Sequence, residues 1–216
     1  MSGRPLDLTW EDKNIPAIVQ AWHLGSKSGD AIAQVLYGDY NPSGKLTMSF
    51  PRNVGQVPIY YNYKNTGRPS TSIEQVTNSG YADVENSPLY SFGFGLSYTS
   101  FEYSDFKIDT NSMTKDSKIN ASIAVKNTGE YAGKEVVQLY LRDIVGSIAR
   151  PMKELKGFEM IELKPGETKT VTFEIDNSLL EFYSFNKVWE SEPGKFHLFI
   201  GSSSDVKDYK EFYLKD

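Results

Sequence analysis

A chain of 216 residues, 39% hydrophobic and 24% charged, has room for one large domain or two small ones with a real core. Its net charge of −5, with no run of Lys or Arg, excludes a nucleic-acid surface, and the absence of cysteine excludes disulfides, zinc–thiolate sites and a cysteine nucleophile. No apolar stretch reaches the roughly 20 residues that cross a bilayer, and no charged segment followed by an apolar one marks a secretory leader in these residues.

From Met1 to Phe50 the signals are α/β. Ile15, Ile18, Val19 and Trp22 share one face at helical spacing, with Asn14 as N-cap and Gly25 as the glycine stop. A second helix is expected over Asp30–Tyr37, burying Ala31, Ile32, Val35 and Leu36. After the Asn41-Pro42-Ser43-Gly44 turn, Leu46, Met48 and Phe50 alternate as in a strand that Pro51 ends.

Residues 52–100 are rich in Gly, Pro, Asn, Ser and Tyr, with little periodicity. Their aromatic side chains are costly to leave in water, so the segment reads as an ordered linker. From Phe101 onward the pattern is all-β. Ile119, Ala121, Ile123 and Val125 alternate with polar residues, as do Val137, Leu139 and Leu141, then Val171, Phe173 and Ile175, then Phe196, Leu198 and Ile200. Lys164-Pro165-Gly166-Glu167 and Glu192-Pro193-Gly194-Lys195 both carry the Pro-Gly centre of a type II turn, and Asn127-Thr128-Gly129 is a further turn signal. Such short strands in little over 100 residues indicate a β-sandwich. The fold class expected is therefore α+β: an incomplete α/β remnant (1–51), an ordered linker (52–100) and an immunoglobulin-like, all-β sandwich (101–216).

Several runs together carry a resemblance. Gly38–Leu46 (GDYNPSGKL) with the Phe50-Pro51 stop, the preceding Gly3-Arg4-Pro5, and the Trp22–Gly25 segment are similar, in order and spacing, to the end of the α/β sandwich domain of glycoside hydrolase family 3. Tyr90–Phe106 (YSFGFGLSYTSFEYSDF) resembles that family's aromatic-glycine entry into its final domain. Arg150–Asp176 and Glu192–Ser204 resemble its fibronectin type III-like domain, and Asn65–Pro69 (NTGRP) narrows the likeness to the periplasmic β-glucosidase branch.

The resemblance implies a retaining β-glucosidase acting on a β-glucoside or oligosaccharide, without a cofactor, in a periplasmic or secreted parent protein. Retention needs two carboxyl groups about 5–5.5 Å apart. In the family the nucleophilic Asp lies on a preceding barrel and the acid/base Glu earlier in the α/β domain, both upstream of Gly3. No catalytic residue is therefore assigned here. The chain is expected to be a C-terminal piece whose partner is the missing barrel and α/β half, with a sandwich that folds alone. A stand-alone carbohydrate-binding or structural module, or one half of a split enzyme, are the alternatives.

The remaining polar residues read structurally. Glu11 and Asp12 favour a helix start. Asp30 and Asp39 suit caps or turns, and Asp83 and Glu85 suit a turn beside Asn86 and Pro88. His23 fits a helix C-terminus and His197 the outward face of a strand. The two histidines have no acidic partners at a motif spacing, so no metal site is read. No Gly-x-Ser-x-Gly elbow or phosphate-binding loop is present. The aromatic run around Gly93 and Gly95, with Phe92, Phe94 and Tyr98, reads as packing in a seam between domains. The Tyr60–Tyr63 cluster reads the same way. Tyr61 and Arg68 are the candidate substrate-binding residues should this stretch border an active-site mouth.

Overall fold

The computed structural model describes residues 1–69 and 79–216; residues 70–78 of the expected linker lie outside the described residues. Two short helices open the chain, α1 (Thr9–Asn14) and α2 (Ser28–Tyr37). The strands follow as β1 (Phe101–Ile108), β2 (Ser112–Met113), β3 (Ile119–Asn127), β4 (Gly133–Asp143), β5 (Glu154–Leu163) and β6 (Thr168–Ile175). After a single helical turn, α3 (Asn177–Leu180), come β7 (Phe182–Tyr183), β8 (Trp189–Glu190), β9 (Gly194–Gly201) and β10 (Lys210–Leu214).

The β-sandwich forms where the alternation places it. One sheet has the order β1-β3-β6, the other β2-β10-β9-β4-β5, and β7-β8 is a separate hairpin. Ile119, Ala121, Ile123 and Val125 of β3 meet Val137, Leu139 and Leu141 of β4 and Phe196, Leu198 and Ile200 of β9 in one buried core, joined by Val171, Ile175, Phe212 and Leu214. Period-two alternation sends these side chains inward and their neighbours out. The 164–167 turn is type II: Gly166 has φ +77° and the Glu167 amide donates to the Lys164 carbonyl at 3.0 Å. Gly194 is not a turn centre. It has no positive φ and opens β9, where pairing with Leu214 holds it extended.

The N-terminal expectations need correction. The Ile15–Trp22 helix does not form; the helix lies one turn earlier, over Thr9–Asn14. The proline ring of Pro16 disfavours helical backbone at the residue before it, and Ile15 is extended, φ −115°, ψ 127°. Asn14 thus ends a helix, its amide donating to the Trp10 carbonyl at 2.7 Å. Gly25 stands just ahead of α2, accepting from the Ser28 amide, and His23 is in a loop. The α2 helix forms two residues earlier than expected and has no fully buried residue; Leu36 is 64% exposed. Gly38, at φ +82°, closes α2, and neither Asp30 nor Asp39 caps it. Asp30 instead pairs with Lys27 at 3.4 Å. Residues 46–50 make no strand. They hold the later chain through the Phe50–Tyr90 bridge, a hydrogen bond from the Leu89 amide to the Phe50 carbonyl, and hydrogen bonds of Leu46 with Gly93 and Phe94.

Candidate functional site

β4 is covered on both faces. Its inward residues fill the core, and its outward Gln138 and Tyr140 are buried as well. What covers them is the aromatic-glycine run. Phe92 stacks on Tyr61 with ring centres 4.2 Å apart, and Tyr61 meets Tyr140 edge-on at 6.0 Å. A second series runs from Trp22 to Phe50 (5.8 Å), Phe50 to Tyr90 (6.2 Å) and Tyr90 to Phe94 (5.2 Å). Offset and edge-on pairs of this kind add about 0.5–1.5 kcal/mol each beyond the area they bury. The glycines make the approach possible. Gly93 has φ +80° and a Cβ on it would strike the Gln138 amide; a Cβ on Gly95 would strike the Gly44 carbonyl.

Polar groups lock the same seam. Gln138 Nε2 donates to the Gly93 and Ser202 carbonyls at 3.1 and 2.6 Å, while its Oε1 accepts from the Tyr140 hydroxyl at 2.5 Å. The Ser204 amide donates to the Phe92 carbonyl. Glu135 occupies an inward position of β4, where Lys45 reaches it at 3.1 Å and the Tyr103 hydroxyl donates to it at 2.9 Å. Burial, then the Glu135 charge, push the Tyr103 phenol far above its ordinary pKa, so it stays a donor. Lys45 also donates to the Gly95 carbonyl at 2.8 Å.

Asn127 is fully buried and saturated. Its Oδ1 accepts from Thr99 Oγ1 and the Gly129 amide at 2.6 and 3.0 Å, and its Nδ2 donates to the Tyr131 and Leu163 carbonyls at 2.8 and 3.0 Å. The Lys153 ammonium lies over the Phe199 ring at 4.2 Å and donates to the Ser204 and Val206 carbonyls at 2.9 and 2.6 Å; burial pulls its pKa down to about 8. Sequence reasoning names none of Glu135, Gln138, Asn127 and Lys153 as an anchor; the alternation of Val137, Leu139 and Leu141, carried back one step, puts Glu135 on the inward face, but nothing in the pattern points to Lys45, 90 residues away.

The predicted residues fall into two places. Tyr61 sits in the seam, half-buried, and its hydroxyl accepts from the Leu155 amide at 3.2 Å. Arg68 is exposed; its carbonyl accepts from the Ser79 amide at 2.7 Å. No described contact joins the two side chains. Asp12, in α1, accepts from the Tyr90 hydroxyl at 2.6 Å; burial, and then this bond to a carboxylate, raise the Tyr90 pKa to about 12. Glu85 pairs with Arg52 at 3.1 Å and Asn86 accepts from the Tyr81 amide. His197 stacks on Tyr209 at 4.0 Å and contacts Glu211 at 3.1 Å. Among the described residues no group of three or more His, Asp or Glu side chains is placed to hold a metal ion, and no helix is long and apolar enough to cross a membrane.

The comparisons agree with this architecture. Residues 1–98 match the glycosyl hydrolase family 3 C-terminal domain. A periplasmic β-glucosidase of Salmonella typhimurium is 52% identical over 94% of this chain. The chain belongs to glycoside hydrolase family 3. Residues 135–204 match the fibronectin type III-like domain. A β-xylosidase of Formosa agariphila is 43% identical over 99% of the chain. Among solved structures, a mutant β-glucosidase of Listeria innocua in complex with laminaribiose covers the whole chain with a TM-score of 0.91 at 40% identity. The family 3 chain spans 27% of the Salmonella protein, 29% of the Formosa protein and 30% of the Listeria chain.

Proposed function

We propose that the chain is the C-terminal portion of a retaining β-glucosidase that hydrolyses terminal β-D-glucosides in the periplasm or outside the cell. The observation that carries this reading is the 52% identity to the Salmonella periplasmic β-glucosidase across 94% of the chain. The catalytic Asp and Glu then lie outside residues 1–216, and these residues act as scaffold. The three-part division at 51 and 100 belongs to the same proposal, with the seam locking the parts together. The exposed Trp10, Ile15, Val19 and Leu36 support a face completed by the preceding half of the enzyme, because apolar residues at helix and turn positions of an α/β layer need a covering layer. Tyr61, with its ring and hydroxyl both engaged, supports the seam more than the sugar, and Arg68 is the residue proposed to border the substrate.

A chimera tests this. Replacing the matching region of the Salmonella enzyme with this chain should leave a folded protein that cleaves aryl β-glucosides, while the chain alone should turn over none. Turnover by the chain alone, or a folded but inactive chimera, would refute the proposal. The second reading, β-xyloside cleavage, is supported by the Formosa β-xylosidase, and an aryl β-xyloside in the same assay separates the two.

A further inference from the structure

The linker meets the sandwich along a short rail. Residues 61–64 run antiparallel beside 151–155: the Met152 amide donates to the Tyr63 carbonyl at 2.8 Å, Lys64 bridges Pro151, and the Tyr61 hydroxyl accepts from the Leu155 amide at 3.2 Å. The same stretch of linker then leads to Arg68, the residue proposed to border the substrate. An isolated bridge has no ladder on either side to stiffen it, so this part of the linker is held only as firmly as the rail it lies on.

Two cations fix the rail. Lys153 pins its far end to the Ser204 and Val206 carbonyls. The end at Pro151, where the bridge to Lys64 lies, is left to Arg150. The Arg150 side chain is 9% exposed; its Nε reaches Asp143, the last residue of β4, at 3.2 Å, and its Nη2 reaches Glu154, the first of β5, at 2.8 Å. The guanidinium also lies over the ring of Phe182 in β7 at 4.0 Å. One planar group therefore ties three strands together at the residue directly before Pro151. A rigid fork of donors can hold two carboxylates and a ring at once, which an ammonium on a flexible stem cannot.

We propose that Arg150 is a positioning residue: by clasping Asp143, Glu154 and Phe182 it holds the Pro151–Met152 end of the rail and so sets where the linker carries Arg68. Buried ion pairs are a poor source of net stability, and what this one supplies is geometry. The fibronectin type III-like domain then does more than brace the enzyme, since one of its guanidinium groups places a side chain of the linker. The step to the substrate rests on the proposed reading of Arg68; the hold on the linker does not.

Arg150→Met alone would strand Asp143, so the test pairs it with Asp143→Asn. The asparagine keeps an oxygen for the Val145 amide, and Glu154 retains Lys156 at 3.9 Å. Amide hydrogen exchange of the 216-residue chain, read by NMR, reports on the rail. In the double variant the Met152 amide should exchange about tenfold or more faster, while Ile123 and Leu139 in the core keep their protection. Kinetics in the chimera with the Salmonella enzyme read the consequence. On laminaribiose the double variant should raise KM about three- to tenfold with kcat within about twofold, and in an Arg68→Ala background it should raise KM no further. Unchanged exchange at Met152 overturns the proposal, and so does a KM rise that persists at full size without Arg68. Equal loss of protection at Ile123 and Leu139 overturns it too, by making the cluster a general source of stability. An Arg68→Ala chimera with unchanged KM refutes the Arg68 reading alone, and the exchange at Met152 still decides whether Arg150 holds the linker.

Discussion

Replacing Lys45 by Met tests whether the polar lock between the N-terminal segment and the sandwich holds the chain together. The Lys45 and Glu135 side chains are 12% and 5% exposed and 3.1 Å apart. Lys45→Met keeps the apolar stem and removes the ammonium. The Glu135 carboxylate is then left buried at an inward position of β4 with the Tyr103 hydroxyl as its described side-chain donor. Breaking one side of a buried pair costs about 3–5 kcal/mol, and the lost bond to the Gly95 carbonyl adds about 1 kcal/mol. At about 2–4 °C per kcal/mol for a chain of this size, the melting temperature should fall by roughly 10 °C or more. Replacing both partners, Lys45→Met with Glu135→Leu, removes the stranded charge and should return the protein to within about 1–2 kcal/mol of wild type. Urea unfolding followed by near-ultraviolet circular dichroism, run as a double-mutant cycle, measures both quantities. A single-variant cost below about 1 kcal/mol, or a cycle without coupling, refutes the claim that this pair locks the seam.

Other variants probe neighbouring features. Gly95→Ala should destabilise by about 1–3 kcal/mol, because its Cβ meets the Gly44 backbone, while Gly25→Ala, with open space around it, should change the thermal midpoint little. Asn127→Ala strands the Leu163 carbonyl inside the sandwich, removes the bond to the Tyr131 carbonyl at its edge, and should cost about 1–3 kcal/mol in urea titration. Lys153 gives a pH dependence of uncommon sign. Its folded pKa is about 8 and its unfolded one near 10.5, so between these values the unfolded chain holds the extra proton and this residue makes stability rise with pH. Below about pH 8 both states are protonated and the dependence vanishes. Lys153→Met should remove that rise when unfolding free energies from pH 7 to 10 are compared with wild type; an identical slope in the two proteins would refute the assignment.

The sandwich was legible because its information is local. Inward and outward residues alternate within each strand, and the 164–167 Pro-Gly centre sets its own turn. The N-terminal segment was misread where one residue outweighed a pattern: Ile15, Ile18, Val19 and Trp22 have helical spacing, but Pro16 pushes the preceding Ile15 out of the helical region and into extended backbone. Gly194 was misread because a strand partner, Leu214, overrode its turn chemistry. The seam was half legible. Aromatics and glycines announced close packing, but Lys45, Gln138 and Asn127 act through partners that only the folded chain brings near. The hairpin aromatics carried no periodic signal at all, since Tyr183, Phe185 and Trp189 look like any strand residues until their exposure is known.

The two-sided burial of β4 has a practical consequence for where this molecule can be cut. A polypeptide beginning at Phe101 would keep every sandwich strand yet strip the cover from Gln138 and Tyr140, leaving a polar amide and an aromatic ring exposed in the middle of a sheet. Restoring the 90–100 run alone would still leave out Tyr61, which meets Tyr140, and Lys45, which pairs with buried Glu135, so the cooperative unit of the sandwich reaches back through the seam to Lys45.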